Sequence, residues 1–178
     1  WIEILPKTTL LGGHANRFPV ANELAFTHLR LNIFPDGGIA RLRVHGEPLP
    51  DWPELPASLD LAALAHGGYV VAASDRFFGP PYKLGLPGPA LGMHDGWETR
   101  RRRGPGHDWV IVRLGTAAEL ERLEVDTSHF KGNAPGSCSV DGCLSTDGSE
   151  PTTATAWTPV LLRRELQPHQ LHLFEPPL

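Results

Sequence analysis

The sequence predicts an all-β chain, an antiparallel β-sandwich of the jelly-roll kind with one short helix. Three observations carry this: apolar runs that are short and often alternate with polar positions, 19 Gly and 18 Pro in 178 residues, and a single segment with helical spacing. Gly and Pro together make about a fifth of the chain, below the ~25% at which an aperiodic sequence reads as disordered.

In chain order, His28, Arg30 and Asn32 alternate with Leu29, Leu31 and Ile33 before a turn at Pro35-Asp36-Gly37-Gly38. Ala40, Leu42 and Val44 then interleave with Arg41, Arg43 and His45, so residues 27–45 are expected to form a hairpin with one apolar and one basic face. Residues 48–58 contain four prolines, which cannot donate to a ladder, and mark a linker. Ser58 is placed to cap a short helix through Leu59, Leu61, Ala62, Leu64 and Ala65, with Gly67-Gly68 as its stop. Strands are expected at Tyr69–Ala73, at Asp108–Leu114 and at 122–127. The second of these is apolar on both sides and reads as central, while the third alternates. Thr158 to Phe174 supplies one or two more, with Leu171 and Phe174 facing a core. Trp1-Ile2-Glu3-Ile4-Leu5-Pro6 echoes Trp157-Thr158-Pro159-Val160-Leu161-Leu162 at a spacing of 156 residues, as a tandem repeat of domain length would. The chain then divides into the end of one repeat at 1–47, the linker at 48–58 and a second repeat at 59–178 that lacks its final hairpin.

Sixteen Lys and Arg against twenty Asp and Glu give a net charge of -4, which argues against general affinity for nucleic acid or an anionic membrane. No apolar run approaches the ~20 residues that span a bilayer. The first residues lack a basic leader, so a cytoplasmic setting is expected. Cys138 and Cys143 lie in a Gly/Ser-rich stretch without zinc spacing and are expected to be free thiols in a loop. None of the nine histidines shows HxH or HExxH spacing, so no cofactor is expected, although a labile divalent ion on carboxylates stays compatible with the composition.

The densest polar segment runs from Met93 to Trp109 and holds four consecutive arginines between Asp95, Glu98 and Asp108. In extended backbone Arg100 and Arg102 face one way and Arg101 and Arg103 the other, so at most one pair enters a site. A guanidinium fork there suits a carboxylate or a ureido-bearing small molecule. The ordinary alternative is a solvated strip whose arginines pair with acidic neighbours. Residues 124–133 end a strand and begin a loop, where Asp126 and His129 are acid/base candidates. Ser74 or Asp75, leaving a strand into an aromatic turn, more commonly bonds nearby backbone.

The runs Asp95-Gly96-Trp97-Glu98-Thr99-Arg100-Arg101-Arg102-Arg103, Gly106-His107-Asp108-Trp109-Val110-Ile111-Val112 and Val125-Asp126-Thr127-Ser128-His129-Phe130-Lys131-Gly132-Asn133 resemble the signature segments of allantoicases. Residues 27–38 and 67–79 resemble two further blocks of that family, and the likeness departs at Ala134, at Gly136 and around Pro89-Ala90-Leu91. The resemblance implies two tandem jelly-roll repeats with a galactose-binding-domain-like fold, and a homo-oligomer in full-length members. It implies a hydrolase of linear amidines, acting on C–N bonds other than peptide bonds, that converts allantoate to ureidoglycolate and urea in allantoin degradation. On this view the catalytic candidates are Asp95, Glu98, His107, Asp126 and His129. The substrate-binding candidates are Arg30, Arg100, Arg102, Lys131 and Asn133. The competing expectation is a non-catalytic jelly-roll module whose Trp97 and Trp109 stack on a carbohydrate or another small polar ligand.

Overall fold

A computed structural model describes residues 1–47, 49, 56, 58–146 and 148–175, so most of the expected linker lies outside the described residues. The chain forms two compact units, Trp1–Leu49 and Pro50–Leu178.

The first unit carries no regular strand or helix among its described residues. The expected hairpin at 27–45 is therefore not formed. Leu29, Leu31, Ile33, Leu42 and Val44 are all exposed. An isolated two-stranded hairpin is marginal in water, and no third strand stands among the described residues of this unit to take its apolar face. Local contacts hold the segment instead. Asn16 closes a turn by accepting the Leu11 N–H at 2.9 Å and donating to the Leu11 carbonyl at 3.0 Å, and the Arg30 guanidinium lies 4.8 Å from the Trp1 ring centre.

The second unit is all-β. Its strands are β1 (Tyr69–Ala73), β2 (Val110–Arg113), β3 (Leu123–Asp126), β4 (Ser137–Gly142), β5 (Thr158–Glu165) and β6 (Leu171–Phe174). They form three antiparallel ladders, β1 with β2, β3 with β6 and β4 with β5. The expected helix is a 3-10 turn at Leu64–His66. No side chain caps its start at Ala63; Asp60, not Ser58, bonds the turn just ahead of it by accepting the Ala62 N–H at 3.0 Å, and Gly67 ends it in a left-handed conformation at φ 87°. Gly68 follows for a steric reason, since a Cβ there would lie 2.5 Å from the Ala62 carbonyl.

Strand β2 pairs with β1 alone among the described residues, so it is not the central strand that its apolar composition suggested. Strand β3 alternates as expected, with Leu123 and Val125 inward and Glu124 and Asp126 exposed. Its register sets Val125 opposite His172 and Asp126 opposite Leu171. Leu171 thus stands on the outer face, and the buried position of β6 belongs to His172. That ring is bonded at both nitrogens: Nε2 accepts the Gln167 N–H at 2.8 Å, and Nδ1 lies 3.0 Å from the Val125 carbonyl. Cys138 sits in β4, not in a loop, and it and Cys143 are free thiols. Among the described residues the buried aliphatic side chains are Ala63, Ile111, Leu161 and Leu166, with Leu161 fully enclosed, and Pro81 is likewise buried.

Candidate active site

The end of the β1–β2 ladder builds the first part of the site. Past Ala73 the ladder continues for one residue, where the Ser74 N–H donates to the Trp109 carbonyl at 2.9 Å. The Ser74 hydroxyl accepts the Trp109 N–H and donates to Asp108 Oδ1, each at 3.0 Å. Asp75 is buried and turns the chain, its Oδ1 accepting the Phe77 N–H at 2.9 Å. The same oxygen takes the Arg100 N–H at 3.3 Å, while Oδ2 takes Arg100 Nε–H at 2.8 Å. Trp97 Nε1 donates to the Asp75 carbonyl at 2.9 Å.

Two carboxylates thus stand on fixed backbone beside the arginine strip, and they sort it. Arg100 binds Asp75, and Arg102 Nη2 binds Asp108 Oδ1 at 2.8 Å. Arg101 and Arg103 are exposed and make no hydrogen bond or ion pair among the described residues. The Phe77 N–H first, and then Arg100, hold the Asp75 carboxyl below the usual carboxylate range. Arg102 first holds the Asp108 carboxyl down as well; burial opposes it as the next largest effect, and the Ser74 hydroxyl adds to the lowering. Arg100 keeps 65% of its side chain exposed, lies 5.2 Å from the Phe77 ring centre, and leaves Nη1 and Nη2 unbonded among the described residues. That is a guanidinium fixed at one end and open at the other.

The second part follows β3. Thr127 is buried, and its hydroxyl lies 2.6 Å from the Gln167 carbonyl and 2.9 Å from that of Gln170, which clamps the turn between β5 and β6. His129 and His169 both adopt left-handed backbone, at φ 71° and 56°. The His129 N–H donates to His169 Nδ1 at 2.8 Å, and His129 Nε2 lies 2.9 Å from the Ala90 carbonyl. A carbonyl only accepts, so Nε2 carries a hydrogen, and Nδ1 is the ring nitrogen not engaged by that contact.

The two parts meet. Asn133 Nδ2 donates to Glu98 Oε1 at 2.9 Å. Glycines make the approach possible, since a Cβ on Gly96 would lie 2.9 Å from the Phe130 ring and one on Gly79 would lie 2.6 Å from the Gly96 carbonyl. The Gly79 N–H holds the Glu98 carbonyl at 3.1 Å.

Of the residues named from sequence, Glu98, Asn133, Arg100, Arg102 and His129 stand on these adjoining segments. Asp95 is engaged locally, its Oδ2 accepting the Leu91 N–H at 3.1 Å. Asp126 is exposed and accepts the Ser128 N–H at 2.8 Å. His107 and Lys131 are exposed and unbonded among the described residues, and Arg30 belongs to the first unit. From sequence, Asp75 is named only as a turn residue bonding nearby backbone and Asp108 only as an acidic flank of the arginines; Asp75 does bond the Phe77 N–H, and the two carboxylates also hold Arg100 and Arg102. The site is an open surface. Two recesses lie elsewhere, an apolar one lined by Ala62, Tyr69, Tyr82 and Val112 and an open groove at Ser137, Arg163 and Glu165, and neither is lined by Glu98. Among the described residues no three His, Cys, Asp or Glu side chains cluster to hold a metal ion, and no helix is long and apolar enough to cross a membrane. Trp97 and Trp109 are both half-buried, and both bond to the end of the ladder, Trp97 through its ring N–H and Trp109 through its backbone N–H.

These features define an all-β sandwich domain with an arginine-bearing loop face suited to a small anionic ligand. The sequence profile of the family described as "Allantoicase repeat" matches residues 1–49 and 59–177. A "Probable allantoicase" of Pseudomonas aeruginosa (strain UCBPP-PA14) is 49% identical over 98% of this chain and 54% of its own length. A "Probable allantoicase 1" of Burkholderia mallei (strain ATCC 23344) is 47% identical over 98% of this chain and 53% of its own length. The chain spans about half the length of the curated relatives it matches. Among solved structures, an allantoicase of Saccharomyces cerevisiae is 38% identical, with a TM-score of 0.58 over 66% of this chain and 34% of that one. Another allantoicase structure is 37% identical, with a TM-score of 0.58 over 68% of this chain and 36% of that one. The chain belongs to the allantoicase family.

Proposed function

We infer that the protein carrying this chain hydrolyses allantoate to ureidoglycolate and urea, as a hydrolase of linear amidines in allantoin degradation. Family membership supports the reaction. The observation that carries the site is the 2.9 Å bond from Asn133 to Glu98, which joins the two signature segments at one carboxylate. The bond to be broken links the central carbon of allantoate to a ureido nitrogen, so the chemistry is that of an aminal. Glu98 protonates the departing urea nitrogen, an imine-like intermediate forms, and water adds to the central carbon as a base takes its proton. His129 Nδ1 is the lone pair available for that second step. The open ends of Arg100 and Arg102 receive the carboxylate, and Asn133 orients Glu98. No covalent enzyme intermediate is needed.

The same reading makes residues 1–49 and 59–177 parts of two successive repeats, and sets the full-length protein in the cytoplasm as a homo-oligomer. The test is direct: incubate the protein with allantoate and measure urea and ureidoglycolate. Folded protein that releases neither refutes the assignment.

A further inference from the structure

The Arg100 guanidinium is not a free surface charge. Its Nε–H is committed to the buried Asp75 at 2.8 Å, and its plane is flanked by Phe77 at 5.2 Å. Asp75 is in turn immobilised by the Phe77 N–H at 2.9 Å and by Trp97 Nε1, which holds the Asp75 carbonyl at 2.9 Å. A long side chain ordinarily loses rotamer freedom when it grips a ligand, and that loss weakens binding. Here the loss is already taken in the free protein, because the Nε edge and one ring face fix the guanidinium while the Nη1/Nη2 edge stays open. That edge presents two parallel N–H donors to a carboxylate.

We propose that Asp75 is a positioning residue: it holds Arg100 so that the Nη1/Nη2 edge forms a preset receptor for the carboxylate of a ureido acid. The proposal rests on the reading of this face as the allantoate site and adds the residue that organises it. Asp75 touches no substrate. It acts through Arg100, so its loss weakens binding more than it slows the chemical step.

Asp75→Asn is the informative variant. The amide oxygen still accepts the Phe77 N–H and preserves the turn, but an NH2 group replaces the oxygen that faces Arg100 Nε–H, so donor meets donor. Two measurements separate this proposal from the reaction assignment. The first is urea release, in which KM for allantoate rises about tenfold in Asp75→Asn while kcat changes less than threefold, as loss of one charge-assisted hydrogen bond to a binding group implies. Asp75→Glu restores part of the KM. The second needs no turnover: ureidoacetate, a minimal ureido acid, is titrated into protein with 15N-labelled arginine. The Arg100 Nε–H resonance is present before addition, shifts saturably with ureidoacetate, and is lost in Asp75→Asn together with about tenfold of the affinity. Arg100→Ala, which leaves the turn intact, weakens ureidoacetate binding as much as Arg100→Ala combined with Asp75→Asn does.

If the wild type releases no urea yet ureidoacetate binding depends on Asp75 as described, the reaction assignment fails and the positioning role stands. Equal KM and equal ureidoacetate affinity in wild type and a folded Asp75→Asn variant overturn the positioning role, and so does a wild type that does not bind ureidoacetate at Arg100.

Discussion

Replacing Glu98 with Gln separates a catalytic carboxylate from a structural one. Glu98 Oε1 accepts one hydrogen bond, from Asn133 at 2.9 Å, and the backbone carbonyl of Glu98 is held independently by the Gly79 N–H at 3.1 Å. A Gln side chain keeps an oxygen for Asn133 and leaves the backbone bond alone, so the structural loss is the difference between a charged and a neutral acceptor. That difference is about 1 kcal/mol or less, which for a chain of this size lowers Tm by roughly 2–4 °C at most. The catalytic loss is of another order. A general acid contributes about 10²- to 10⁴-fold to rate, so kcat for urea release falls by at least about 10²-fold, some 2.7 kcal/mol of barrier. The assay pairs urea release under saturating allantoate with thermal melts of the same preparations. A folded Glu98→Gln protein with kcat within threefold of wild type removes the carboxylate from the chemistry. A melt lowered by ten degrees or more, with activity falling in proportion, makes the residue a structural one.

Three further outcomes follow from the same geometry. Thr127→Val keeps the shape of a buried side chain but leaves its backbone partners at Gln167 and Gln170 without the hydroxyl, so stability falls by about 1–3 kcal/mol in denaturant unfolding; a loss under 0.5 kcal/mol contradicts the clamp. Asp75 and Asp108 have folded-state pKa values below their ordinary 3.8, so their stabilisation is fully present above the unfolded value and is lost as pH falls from about 4 through the lower folded values. Melts should be insensitive to these two groups between pH 5 and 7 and should drop below about pH 4, with a shallower acid drop in Asp108→Asn. Burial pushes the Cys138 thiol up while Cys143 is exposed, so a thiol reagent at pH 8 should modify Cys143 at least about tenfold faster; equal rates contradict the placement of Cys138 in β4.

Much of the second unit was legible in the sequence where one face of a strand is apolar and the other polar. Tyr69–Ala73 has the bounds expected from its run, and β3 shows the alternation from Leu123 to Asp126 in its burial. Strand β4 was hidden by composition, because Gly, Ser and Cys suggest a loop. Yet Cys138 and Val140 turn inward while Ser139 and Asp141 are exposed, so the period of two was present in weakly hydrophobic letters. Leu171 misled for the opposite reason: a large apolar residue stood on the outer face while the neighbouring His172 took the interior with both ring nitrogens bonded. Apolar character alone does not choose a face. Register with the partner strand does, and register is a non-local property that a pattern within one strand does not contain. The hairpin in the first unit had the right alternation and still formed no ladder, because alternation states a preference for burial without supplying the surface to be buried against.

The arginine strip shows how such non-local information becomes chemistry. Four identical side chains in a row are indistinguishable in sequence, and spacing assigns them only to two alternating sets. What separates the sets is the end of a ladder, where Asp75, 25 residues before Arg100, and Asp108, 6 residues after Arg102, are fixed by β1 and β2 with Ser74 and present carboxylates to those two arginines. The ladder end therefore does two things at once. It neutralises part of a dense positive run that would otherwise repel itself, and it converts two flexible side chains into directed donors. Each acid spends its charge on one end of an arginine rather than on solvent, so the positive potential at the open Arg100 edge is reduced but its direction is fixed. For a small anion that is recognised by shape as well as charge, as a carboxylate is by a fork of parallel N–H groups, direction is worth more than the charge given up. The same argument explains why Glu98 carries no arginine partner among the described residues: its contact is the neutral amide of Asn133, which orients the carboxylate without pinning its proton to a cation.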